Sequence, residues 1–104
     1  MFGFLKRLFG NNSDQLTDFI SRGAVILDVR TPAEFKAGHV PKAINIPVDQ
    51  VQAKINTIKG YNKPVITCCA SGARSGAAAG ILRAAGIEVV NGGPWQSVNA
   101  VVAA

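Results

Sequence analysis

The feature that most constrains this chain is the character of its apolar runs. Ala24-Val-Ile-Leu27, Ala43-Ile-Asn-Ile46, Val65-Ile-Thr67 and Ile87-Glu-Val-Val90 are short, rich in β-branched residues and nearly continuous. A strand with one face in water alternates apolar and polar residues. A continuous run suits a strand buried on both faces, as in a parallel sheet. The segments between the runs read as helices. Ser13 can cap a helix from Asp14 to Arg22 that stops at Gly23. Thr31-Pro-Ala-Glu34 reads as a capping box with Pro at the first helical position, and that helix ends at Gly38. Asp49 to Lys59 carries Val51, Ile55 and Ile58 at helical spacing, with Gly60 as its stop. Ala73 to Ala85 is Ala-rich and ends at Gly86, and a last helix begins near Pro94. Strand and helix in alternation predict an α/β fold. Its core is a small parallel sheet of four to five strands with helices on both faces.

At 104 residues the chain has room for one domain, expected over 13–104, preceded by an N-terminal segment, 1–12. That segment places Phe2, Leu5 and Phe9 on one helical face beside Lys6 and Arg7. Packing of these aromatics on the domain is the expectation, and membrane-surface contact through residues 1–10 is the alternative. Lys and Arg number 11 against 6 Asp and Glu, and they are scattered rather than clustered with aromatics. That pattern suits attraction of small anions and gives no reason to expect nucleic acid.

Ligands in such sheets bind beyond the carboxyl ends of the strands, which directs attention to Asp28–Arg30, Cys68–Ser75 and Asn91–Gly93. The two cysteines, Cys68 and Cys69, are neighbours and cannot easily bridge each other, so a reducing, cytoplasmic setting is expected. His39 alone cannot complete a zinc site with them, and no metal is expected. Cys69-Ala-Ser-Gly-Ala-Arg-Ser75 leaves a buried strand and opens a helix. There the unpaired N–H groups and partial positive charge favour an anion and lower a thiol's pKa. Ala70, Ser71, Gly72 and Ala73 are small enough for the backbone to curl around a sulfur, and Arg74 adds a planar fork suited to an oxyanion.

These motifs resemble the rhodanese family. Leu27-Asp-Val-Arg30, Glu34-Phe35 and Gly38-His-Val-Pro41 resemble its first signature, and Ala43-Ile-Asn-Ile-Pro47 continues it. Pro64 to Ser75 resembles the active-site strand and loop, and Asn91-Gly-Gly93 with Trp95 resembles the closing signature. The resemblance implies a sulfurtransferase with no cofactor, in which Cys69 takes sulfane sulfur from a donor such as thiosulfate. The persulfide would be held by residues Ala70, Ser71, Gly72, Ala73, Arg74 and Ser75, then passed to cyanide or a thiol, a protein thiol included. Asp28 and Arg30 are expected to brace the site, and His39 to be a hydrogen-bonded turn residue.

The sequence departs from the family's usual pattern at Lys42, at Ala70 and Ala73, and at Pro94, which alone separates the Gly pair from Trp95. The doubled cysteine leaves one rival. Cys68 to Arg74 encloses five residues, the spacing of cysteine phosphatases and of arsenate reductases of the same fold. A non-catalytic anion- or protein-binding module is the third reading. Cys69 is preferred because Ser71-Gly72 and Arg74-Ser75 fall in the register of the resembled family only from that position. Alternate strand residues also point opposite ways, so only one cysteine can face the loop centre.

Overall fold

Each of the four apolar runs contributes a strand: β1 (Val25–Asp28), β2 (Ile44–Asn45), β3 (Val65–Cys69) and β4 (Val89–Pro94). The computed structural model describes residues 12–104, so the amphipathic reading of 1–10 lies outside the described residues. The strands form one sheet in the order β2-β1-β3-β4, and every pairing is parallel. Around it lie α1 (Asn12–Ser21), α2 (Pro32–Ala37), α3 (Val48–Val51), a 3₁₀ turn (Gln52–Lys54), α4 (Ile55–Gly60), α5 (Ala73–Ala84) and α6 (Trp95–Ala103).

Alternate residues of the strands feed two separate cores. Leu27, Val65, Cys69 and Val89 pack with Val51, Ile58, Ala78, Ala79 and Leu82 from α3, α4 and α5. Ile66, Cys68 and Val90 pack with Leu16 and Phe19 of α1 and Val98 of α6. Burial on both faces is the physical reason the strand sequences are apolar throughout. The chain runs from β1 outward to β2, then crosses to the other side of β1 for β3. The strand order therefore reverses between β1 and β3. A crevice opens beyond the carboxyl ends of strands at such a point, here beside Asp28 and Cys69.

The capping box is present as expected: Glu34 N–H donates to Thr31 Oγ1, and Thr31 N–H donates to Glu34 Oε1. Three boundaries differ from the sequence reading. The first helix already includes Asn12, so Ser13 lies in its first turn rather than capping it. The segment from Asp49 to Lys59 is not one helix: exposed Gln52–Lys54 wind as a 3₁₀ turn, while Val51 and Ile58 both stay in the core. Packing of the two anchors outweighs continuity of the helix between them. Strand β4 runs on through Asn91-Gly-Gly-Pro94, residues expected to lie beyond the strand's end at Val90. A Cβ on Gly92 would lie 2.5 Å from Val98 Cγ2 and 2.9 Å from the Thr67 carbonyl oxygen, so glycine lets the strand continue close to β3 and α6.

Candidate active site

Helix α5 starts without a side-chain cap, because its N-cap is Gly72, held in the left-handed region at φ 103°. The first N–H groups of a helix need acceptors. Here the Cys69 sulfur takes that place. Gly72 N–H donates to Cys69 Sγ at 3.0 Å, and Ser75 N–H, at the third position of the helix, donates at 3.4 Å. The Ser75 hydroxyl lies 3.3 Å from the same sulfur. A cysteine sulfur thus acts as the cap acceptor that Ser, Thr or Asp usually supplies. Thr67 Oγ1 donates to the Ser75 carbonyl at 2.9 Å, tying β3 to the first turn of α5.

This arrangement favours the ionised form of the sulfur. Burial pushes the Cys69 thiol up, but hydrogen bonds from the Ser75 side chain and from the backbones of Ser75, Gly72 and Ser71 outweigh it. The pKa falls below the ordinary thiol value. Cys68 meets the opposite conditions. Strand alternation points it into the core beneath α1 and α6, and burial, with the Asp28 carboxylate nearby, pushes its thiol up to about 12. The five-residue spacing from Cys68 therefore does not correspond to a loop around the Cys68 sulfur.

Rim and support separate cleanly. Ala70, Ser71 and Ala73 are exposed, Gly72 is half-buried and Ser75 is buried. Arg74 does not stand alone: its two terminal nitrogens donate to Glu34 Oε1 at 2.7 Å and Oε2 at 3.0 Å. Arg74, helped by the Thr31 backbone N–H, lowers the Glu34 pKa to about 2. Asp28 and Arg30 form a buried ion pair, Arg30 Nη2 to Asp28 Oδ2 at 2.7 Å. Arg30 also donates to the carbonyls of Gly38 and Glu34, and its guanidinium lies over the Trp95 ring at 5.1 Å. It therefore binds the end of β1 to α2 and α6. His39 Nδ1 is 2.7 Å from the Phe35 carbonyl, and its ring stacks on Phe35.

Asn91 was given no role by the sequence, yet its side chain reaches the loop. Its Oδ1 accepts from Ser75 Oγ at 2.7 Å and from Gly93 N–H at 3.0 Å, and its Nδ2 donates to the Gly72 carbonyl at 3.2 Å. The one signal available was a polar residue at a strand end just before a Gly pair.

A strand-to-helix loop that closes on a sulfur, at the point where a parallel sheet reverses its order, narrows the choice of family considerably. The model of the "Rhodanese-like domain" family matches residues 12–94. The chain belongs to this family. Rhodanese-like relatives include the thiosulfate sulfurtransferase PspE of Escherichia coli, 39% identical over 69% of this chain and 71% of that protein. An uncharacterized protein of Bacillus subtilis, YqhL, is 45% identical over 67% of this chain and 56% of its own length. The chain thus spans little more than half of that relative. Among solved structures, a rhodanese from E. coli superposes with a TM-score of 0.65 at 34% identity, covering 71% of this chain and 89% of that one. A rhodanese-related protein from Thermoplasma volcanium superposes at 0.70 and 32% identity, covering 83% and 85%. Among the described residues, no helix is long and apolar enough to cross a membrane.

Proposed function

We propose that this protein is a sulfurtransferase in which Cys69 carries sulfane sulfur as a persulfide. The observation that carries the reading is the buried Cys69 sulfur receiving N–H groups from Gly72 and Ser75 at the head of α5. Thiolate is the nucleophilic form, and the same N–H groups favour the anion that forms on transfer. The thiolate attacks the outer sulfur of a donor such as thiosulfate. A new S–S bond forms, the donor's S–S bond breaks, and sulfite leaves with the electron pair. Cyanide or a thiol, a protein thiol included, then attacks the outer sulfur of the persulfide and returns Cys69 to the thiolate. Oxidation and reduction cancel between donor and acceptor, so no cofactor is required. Ala70, Ser71, Ala73 and Arg74 frame the entrance for the donor. Asp28 and Arg30 hold the neighbouring turns in place. Two free thiols fit a reducing compartment such as the cytoplasm.

The test is thiocyanate formation from thiosulfate and cyanide by wild type, Cys68→Ser and Cys69→Ser, with a phosphomonoester assayed in parallel. Loss confined to Cys69→Ser is expected. Phosphoester cleavage that disappears in Cys68→Ser would replace this reading with the phosphatase one. A folded protein inert in both assays would leave a binding module.

A further inference from the structure

Asn91, on a strand outside the loop, hydrogen-bonds to Gly72 and Ser75, two of the loop residues that donate to the sulfur. It stands on β4 opposite Thr67, and its amide bridges to the Gly72 carbonyl and the Ser75 hydroxyl at once. Gly72 and Ser75 are the two residues whose backbone N–H groups lie 3.0 and 3.4 Å from Cys69 Sγ. Helix α5 makes room for this amide with Gly76, where a Cβ would lie 3.2 Å from Asn91 Nδ2. Gly72 also accepts from Gly76 N–H, so its peptide is held from the helix side and from the strand side.

We propose that Asn91 is a positioning residue for sulfur transfer, holding Gly72 and Ser75 so that their donors converge on Cys69. The proposal rests on Cys69 being the reactive sulfur. It also assigns the Ser75 proton. With Cys69 as a thiol, S–H donates to Ser75 Oγ, and the Ser75 hydroxyl donates to Asn91 Oδ1. When the thiol proton leaves, the hydroxyl turns its single proton to the sulfur. Asn91 Oδ1 is not orphaned by this turn, because it keeps the Gly93 N–H. A buried acceptor left unpaired would oppose ionisation, and the second partner removes that cost.

The other charged groups facing this region are already paired. Arg74 of α5 is bound by Glu34 of α2, Asp28 is bound by Arg30, and Cys68 faces away with its thiol pushed up to about 12. His39 hydrogen-bonds to the Phe35 carbonyl.

The experiment is the rate of Cys69 alkylation by iodoacetamide as a function of pH, read by tandem mass spectrometry, for wild type, Asn91→Leu and Asn91→Thr. Both substitutions are uncharged, and threonine is a good strand residue, which guards against misfolding. The expected result is a midpoint about one pH unit higher in both, meaning roughly tenfold less thiolate on the acid side. In a Ser75→Ala background the same substitutions should shift the midpoint by less, since one of the two arms is gone. An unchanged midpoint in a natively folded variant overturns the proposal and leaves Asn91 as a brace of β4. Alkylation needs no sulfur donor, so this result stands apart from the outcome of the thiocyanate assay.

Discussion

Cys68 and Cys69 differ in nothing but their position along one strand, and that single step sends one sulfur into an apolar core and the other to a helix N-terminus. The pH behaviour follows. The folded state favours the ionised form of Cys69, so its contribution to stability is complete above the unfolded thiol value and is lost as pH falls through the lower folded value. Alkylation of wild-type Cys69 should therefore be half-maximal below about pH 8.5, the value for a free cysteine. A midpoint at or above that value would show that burial, not hydrogen bonding, controls the sulfur. Arg74 supplies a second residue-level prediction. Its fork is occupied by the Glu34 carboxylate, which stays ionised down to about pH 2. In Glu34→Gln the guanidinium is released toward an oxyanion, and the KM for thiosulfate should fall about threefold, the scale of one partly exposed charge contact. An unchanged KM would mean that Arg74 does not meet the donor.

Helix α5 and the loop before it form the element on which the site depends. Its first turn is small and apolar in the wrong places for a side-chain cap, with Gly72 at φ 103° and Ala73 following. Left-handed backbone costs a residue with a Cβ about 1–2 kcal/mol, so Gly72→Ala should lose stability on that scale. It should also lose most of its thiocyanate-forming activity, because the Gly72 N–H is the shortest contact to the sulfur. Full activity in a folded Gly72→Ala protein would show that the loop tolerates another path. The sequence located this loop correctly from the strand-to-helix junction and the run of small residues. The Glu34–Arg74 pair and the reach of Asn91 were not legible, since they join residues 40 and 16 or more positions apart.

The described residues form one sheet with a core on each face, and strands β1, β3 and β4 contribute to both cores. Neither core can dissolve alone, because removing either exposes the other face of the same hydrogen-bonded strands. Leu82→Ala, on the buried face of α5, and Ile66→Ala, on β3 beneath α1 and α6, should each cost about 2–5 kcal/mol. Both variants should still unfold in a single transition. Fluorescence of the single tryptophan, Trp95, packed against the second core, and far-UV circular dichroism should report the same denaturant midpoint. Midpoints that separate would show two independently stable halves.

Local chemistry was enough to determine the strands, most of the helices, the parallel arrangement and the position of the cysteine loop. Continuous β-branched runs, a capping box and glycine stops act over a few residues, and a few residues are all they need. Tertiary structure decided the rest. The sheet order put Asp28 and Cys69 at one crevice, and close packing carried β4 through two glycines. Packing also brought Asn91 within hydrogen-bond distance of Ser75. Those relations depend on which strand lies beside which, and no short stretch of sequence contains both partners of the contact.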